Sequence, residues 1–298
     1  MTELKVTESD FLERLGQTMR TRRALRGMSR KVLSRVSGVS ERYIAQLESG
    51  QGNISVILLQ RLAHAVGANI ADLFAPGDAH ADFGVVRDLI RRAGPDQLAE
   101  VKSLLAGRSA GTHERVNAAI PADRIALIGL RGAGKTTLGR ALAEKLGWPF
   151  VELNKEIEAA NGLSIAEILA LYGQDGFRRL EQNALRDLIA RPGPMVLATG
   201  GGIVSEPLTF DLILSSFYSV WLRAKPEEHM SRVRKQGDLR PMADDRSAMA
   251  ELRTILLSRE PLYARARAVV ETSGLSVAAA SDRLAAAIQG YVSPTAGK

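Results

Sequence analysis

Two rhythms of hydrophobic and polar positions follow one another along the chain. From Asp10 to Arg26 apolar residues recur at helical spacing, with Phe11, Leu15, Met19 and Leu25 on or near one face and Arg20, Arg22, Arg23 and Arg26 on the other. Ser29 is a good N-cap for a second short helix through Val32, Leu33 and Val36. At the turn Ser37-Gly38-Val39, glycine can take the positive φ of a sharp inter-helix corner. Ser40 caps a third helix to Ser49, stopped by Gly50, in which Ile44 and Leu47 face inward and Glu41, Arg42, Tyr43 and Gln46 outward. Ile57 to Val66 predicts another amphipathic helix, and Ile70, Leu73 and Phe74 a last short one.

Two further helical stretches, Asp82 to Arg92 and Pro95 to Leu105, are separated by Gly94-Pro95 and followed by small and polar residues to Pro121. Their apolar faces must bury against something, which fits a coupling element between domains or a spacer pair. After that the rhythm shortens. Apolar runs at Ile125–Ile128, Pro149–Leu153, Met195–Ala198, Ser219–Leu222 and Ala268–Glu271 alternate with helical patterns. Such alternation predicts βαβ units, a parallel sheet with helices on both faces, and ligands at the carboxyl ends of the strands. The expected organisation is multi-domain: an all-α helix-turn-helix domain over 1–78, a helical connector over 79–122, and an α/β P-loop domain over 123–298.

The first of those strands runs straight into Gly129-Leu130-Arg131-Gly132-Ala133-Gly134-Lys135-Thr136, the G-x-x-x-x-G-K-[ST] pattern, with a helix behind it. Gly129, Gly132 and Gly134 let consecutive backbone N–H groups converge on phosphate oxygens, and the helix points its positive end at the same place. Lys135 then reaches the terminal phosphates, with Thr137 beside it, and Thr136 is the candidate magnesium ligand. The motif establishes a phosphate site and not a reaction.

Composition narrows the remaining classes. The 298 residues are 45% hydrophobic and contain no cysteine, which excludes disulfides, thiol catalysis and Cys-ligated zinc. His64, His80, His113 and His229 have no metal-ligand spacing. No apolar run reaches the length of a membrane span and Met1 to Asp10 lacks a signal design, so no membrane partner and a cytoplasmic location are expected. A formal charge of +7 favours polyanionic partners.

The run Ser40 to Asn53, SERYIAQLESGQGN, followed by a helix and the ending GANIADLF, resembles the small DNA-binding domains of the Xre/Cro/phage-repressor family. By that resemblance Arg30 contacts phosphate, and Ser40, Glu41, Arg42, Tyr43 and Gln46 present the reading face, Arg42 suiting guanine and Gln46 adenine. Such modules act on double-stranded operator DNA as homodimers, so a homodimer is expected. A helical protein-interaction module with a merely solvated basic face is the alternative.

Beyond the phosphate loop, the runs FVELNKEIE (Phe150 to Glu158), SIAEILALYGQDGFRRLE (Ser164 to Glu181), ATGGG (Ala198 to Gly202), Leu239-Arg240-Pro241 and SREPLY (Ser258 to Tyr263) resemble shikimate kinases. The resemblance implies that Asn154, Arg178, Gly200, Gly201, Gly202 and Arg259 line a carboxylate-binding pocket and that Arg240 is a lid arginine. Were the chain a kinase, Lys135, Glu152 and Arg240 would be its catalytic set. It departs from the family at Glu152-Leu153-Asn154, where those enzymes have Asp-x-Asp. A neutral amide cannot take the acceptor hydroxyl's proton, so the pocket is expected to bind without efficient phosphoryl transfer.

The two halves together resemble the BzdR/BoxR-type regulators of bacterial aromatic catabolism, which respond to benzoyl-CoA. That resemblance implies a repressor with an acyl-CoA effector and no required cofactor, with ATP and magnesium as further candidates for the P-loop. An active shikimate kinase carrying an accessory DNA-binding domain is the alternative, and a regulator using the P-loop domain only as a scaffold is a third reading.

Overall fold

The computed structural model describes residues 8–51, 53–74, 123–235 and 245–291, with a few positions of the stretch between 75 and 122. The expected connector lies largely outside these residues, as does the expected lid arginine, Arg240. Elements below are numbered over the described residues.

The N-terminal unit comprises α1 (Glu8–Leu25), α2 (Arg30–Ser37), α3 (Glu41–Glu48), α4 (Val56–Ala65) and a 3-10 turn (Ile70–Leu73). Ser29, Ser40 and Ser55 each accept a hydrogen bond from a first-turn N–H, satisfying donors that a helix start leaves open. Gly38 closes α2 at φ 71°. Met19, Leu33, Ile44, Leu47 and Leu62 form the centre of the core, as the helical periodicity requires.

One expectation is corrected here. Arg23 does not lie on a solvated polar face: it is buried, with Nε 2.6 Å from Glu48 Oε1 and Nη2 3.0 Å from Oε2. Arg30 Nε adds a third bond at 2.8 Å to the same carboxylate. Helical spacing shows where a side chain points but not whether a partner element brings a carboxylate to meet it. Burial works against the charge on Glu48, yet the hydrogen bonds and charges of Arg23 and Arg30 outweigh it and hold the carboxyl below its ordinary range.

The C-terminal unit runs β1 (Arg124–Ile128), α5 (Lys135–Leu146), β2 (Phe150–Glu152), α6 (Leu153–Asn161), α7 (Ile165–Ala190), β3 (Met195–Ala198), α8 (Pro207–Ser216), β4 (Tyr218–Arg223), α9 (Pro226–Lys235), α10 (Asp245–Tyr263), β5 (Ala268–Glu271) and α11 (Val277–Ile288). Its five strands pair in parallel in the order β2-β3-β1-β4-β5. One face is covered through Ile157, Ile168, Leu185, Phe210 and Tyr263, and the other through Leu138, Leu142, Leu284 and Ile288. This sandwiching explains why Ile125–Ile128 of β1, all of β3 and Val220–Leu222 of β4 are continuously apolar and buried rather than alternating. Two helical stretches meet within α7 at Gly173, whose φ of 66° and ψ of −173° break the ladder.

The two units touch. α1 packs on α10, and the turn that ends α1 sits at the carboxyl edge of the sheet. There Ser205 Oγ donates to the Leu25 carbonyl, Arg26 pairs with Glu206, and Arg259 donates to the Leu25 carbonyl from Nε at 3.0 Å and Nη2 at 2.5 Å. Farther along α10, Glu251 lies against Arg23 and Arg30, its carboxyl raised by burial despite those charges.

Replacing Glu48 removes the carboxylate that bonds two buried or half-buried cations and leaves them only the neighbouring Glu251, so Glu48→Gln is expected to lower unfolding free energy by about 3–5 kcal/mol. Because the folded-state value is depressed, this stabilisation is present above the ordinary value of 4.5 and is lost as pH falls through the folded value. Urea unfolding of wild type and variant at neutral and acid pH checks both statements: the gap between the curves should narrow on acidification.

Candidate functional site

β1 ends in a loop whose glycines Gly129, Gly132 and Gly134 have φ of 143°, 78° and 94°. α5 begins there without a side-chain cap, so its first-turn N–H groups remain available to a ligand. Lys135 Nζ folds back over the loop, 2.8 Å from the Gly129 carbonyl and 3.0 Å from that of Leu130. Burial, with repulsion from Arg131 and Arg259, pushes its ammonium down to about 8. An incoming phosphate would relieve both effects. His229, lowered by burial, holds the loop from below through Nδ1, 3.0 Å from the Arg131 carbonyl oxygen.

A cavity of about 490 Å³ opens in front of this loop and is lined by Lys135, Thr136, Thr137, Glu152, Asn154, Gly200 and Gly201 among others. Glu152, the last residue of β2, places Oε1 2.6 Å from Thr136 Oγ1 and Oε2 3.3 Å from Arg140 Nη2. Thr136 and Glu152 are the two groups that would hold magnesium, and each is already satisfied by the other. Groups of three or more potential metal ligands are absent among the described residues. The pair therefore suits a magnesium ion delivered with a polyphosphate and mostly hydrated, which is how that ion is commonly held.

Asn154 follows at the start of α6. Its buried Oδ1 accepts no hydrogen bond within the protein and lies 3.3 Å from where a Cβ on Gly200 would be. Glu181 Oε1 reaches the same point at 3.2 Å and is equally unpartnered, while its Oε2 receives Arg178 Nη1 at 2.5 Å. Burial raises the Glu181 carboxyl, with Arg178 opposing.

The basic side of the pocket follows. Arg178 crosses Gly202 so closely that a Cβ there would meet its Nη2 at 2.5 Å, and a Cβ on Gly201 would lie 2.8 Å from the Arg131 amide nitrogen. Close approach, rather than turn geometry, explains these two glycines. Arg259 is buried, donating from Nη1 to the Gly201 carbonyl at 3.0 Å, and Tyr263 donates to the same oxygen at 2.8 Å. Burial lowers the Arg259 guanidinium and raises the Tyr263 phenol.

The structure thus gathers the loop residues, Glu152, Asn154 and the triple glycine into one site with Arg178 and Arg259 beside it; Arg240 lies outside the described residues. Sequence reasoning did not single out Glu181, Glu206 or Tyr263. Glu181 and Tyr263 end two of the quoted runs, but Glu206 had no motif to mark it.

On the N-terminal unit, Glu41, Arg42 and Gln46 are exposed along α3. Tyr43 donates through its hydroxyl to the Asn53 carbonyl at 2.7 Å, and Ser40 caps the helix. Arg30 is engaged by Glu48, which leaves α3 as the open face.

A family model described as Shikimate kinase matches residues 131–289, and one described as Helix-turn-helix matches residues 19–73. The shikimate kinase of Parasynechococcus marenigrum is 42% identical over 140 residues, 47% of this chain and 72% of that protein. That of Paramagnetospirillum magneticum is 38% identical over 178 residues, 60% of this chain and 84% of that one. Among solved structures, a shikimate kinase from Acinetobacter baumannii in complex with shikimate superposes with a TM-score of 0.51 at 32% identity, covering 57% of this chain and 94% of that one. A shikimate kinase from Bacteroides thetaiotaomicron gives 0.52 at 29%, covering 56% and 98%. The helix-turn-helix match makes the N-terminal unit a DNA-binding regulatory module. Because the shikimate kinase model spans more than half of the residues, the chain belongs to the shikimate kinase family and carries a helix-turn-helix unit ahead of that domain.

Proposed function

We propose that the chain is a sequence-specific transcriptional repressor of aromatic-compound genes, released from operator DNA by an aromatic acyl-CoA such as benzoyl-CoA. It would act in the cytoplasm as a homodimer reading two half-sites. The single observation that carries this reading is Asn154: where a kinase needs a carboxylate beside the acceptor hydroxyl, the pocket offers a buried amide oxygen with no partner. Such a group can orient a donor but cannot accept its proton. Glu152 does not replace it, being engaged by Thr136 and Arg140. The resemblance to BzdR/BoxR-type regulators supplies the effector class, and its chemistry fits. Coenzyme A carries a pyrophosphate and a ribose phosphate for the loop and Lys135, while the acyl group would lie toward Asn154 and the triple glycine.

A second reading, a working shikimate kinase, draws on the complete phosphate loop with Lys135 and Thr136 in place. The two separate experimentally. Fluorescence anisotropy of promoter DNA titrated with benzoyl-CoA, CoA and benzoate should show release by the thioester, and a coupled assay should show no shikimate-dependent ADP formation. Brisk turnover with no response to thioesters rejects the repressor reading. Asn154→Asp is expected to raise shikimate turnover by at least about 10²-fold, the range of general base catalysis.

Base readout should follow α3. Arg42→Ala and Gln46→Ala should each reduce discrimination for the operator by about 1–3 kcal/mol while leaving salt-dependent non-specific binding largely intact. Competition binding against scrambled duplex measures the difference.

Lys135 must be charged to attract a phosphate, and in the free protein it titrates at about 8. Affinity for a phosphate-bearing ligand should be flat below that pH and fall up to about tenfold per unit above it, until the complex titrates in turn. Calorimetric titrations across pH 6.5–9.5 test this, with Lys135→Met expected to remove the slope.

A further inference from the structure

We infer that the pocket's anion-binding arginines also form the clamp that holds the DNA-binding unit, so that an anionic ligand and that unit compete for Arg178 and Arg259. Lys135, Arg131, Arg178 and Arg259 crowd around the triple glycine, and Arg259 is opposed by Arg178 as Lys135 is by Arg131 and Arg259. Mutually repelling cations in a buried place favour any negative charge that reaches them. In this chain part of that role is filled from within. The Leu25 carbonyl takes two donors of Arg259, at 3.0 and 2.5 Å, much as one oxygen of a carboxylate would. Glu206, 3.5 Å from Arg178 Nε, is shared with Arg26 of the N-terminal unit.

Both arginines therefore lead to neighbouring residues of the same turn, Arg259 directly to Leu25 and Arg178 through Glu206 to Arg26. Arg178 Nε is buried and makes no hydrogen bond, having only the Glu206 carboxylate 3.5 Å away, so a closer anionic oxygen would compete with Glu206 for it. An anion that drew Arg178 and Arg259 to itself would weaken the Leu25 bonds and leave Glu206 and Arg26 with a different balance of charge. Burial already raises the Glu206 carboxyl against the attraction of Arg26 and Arg178. A ligand can shift this equilibrium only by its differential affinity for the two arrangements, and competition for shared donors supplies that difference. The inference rests on reading the pocket as an effector site, and it adds how occupancy is felt by the other unit.

The chain's lack of cysteine permits clean labelling. Gln17→Cys on α1 and Lys145→Cys on α5 are both exposed and carry spin labels on the two units. Double electron–electron resonance on the full chain should give one narrow distance distribution alone and a broad, displaced one with benzoyl-CoA or shikimate. By reciprocity, loosening the clamp with Arg26→Ala, or with Ser205→Ala should the first fold poorly, should tighten binding of the same probe by about fivefold or more. Unchanged distances at saturation, shown by calorimetry, overturn the inference, and so does a loosened variant whose affinity stays at the wild-type value or for which neither probe binds. Release from DNA by benzoyl-CoA with unchanged distances rejects the clamp and keeps the effector. Displaced distances without release keep the clamp and reject the repressor reading.

Discussion

The buried guanidinium of Arg259 bonds two carbonyl oxygens from different units of the chain, Gly201 in the pocket and Leu25 in the helical unit. A buried cation demands acceptors, and here they come from separate folding units, so neither environment is complete without the other. The position of α1 on α10, the pairing of Arg26 with Glu206 and the reach of Ser205 to Leu25 are arranged around this one side chain.

The same economy of groups governs the phosphate end. The loop, its glycines and the uncapped start of α5 form a ready anion cradle, and Lys135 lies over it on backbone oxygens it can exchange for phosphate. The departure from the shikimate kinase pattern that the resemblance implies lies at the end of β2. There Glu152 reaches the Thr136 hydroxyl directly, and Asn154 presents an uncharged amide oxygen without a hydrogen-bond partner. On the proposed reading, binding persists without efficient phosphoryl transfer, because the first depends on backbone amides and the second on one ionisable group.

Much of this was readable before any coordinates. The five apolar runs named as strands are the five strands, and the two faces of helices follow from their unbroken hydrophobicity. Caps at Ser29 and Ser40 and the corner at Gly38 obey local chemistry and were legible for that reason. The pocket residues could be named by position, since they sit in runs with distinctive spacing. Partnerships across distance could not. Arg23 reads as one more basic residue of a polar face until Glu48 arrives from α3, and Glu206 has no local signature although it joins Arg26 to Arg178. Pattern reports orientation, whereas ion pairing depends on tertiary encounter.

The sheet itself carries one more implication. Its core residues lie in the middle of the strands and on the inward helix faces, while Glu152, Asn154 and Gly200 occupy the strand ends, outside every hydrophobic cluster. Selection could therefore rewrite the chemistry at that rim through single side chains without disturbing the packing that keeps the slab folded.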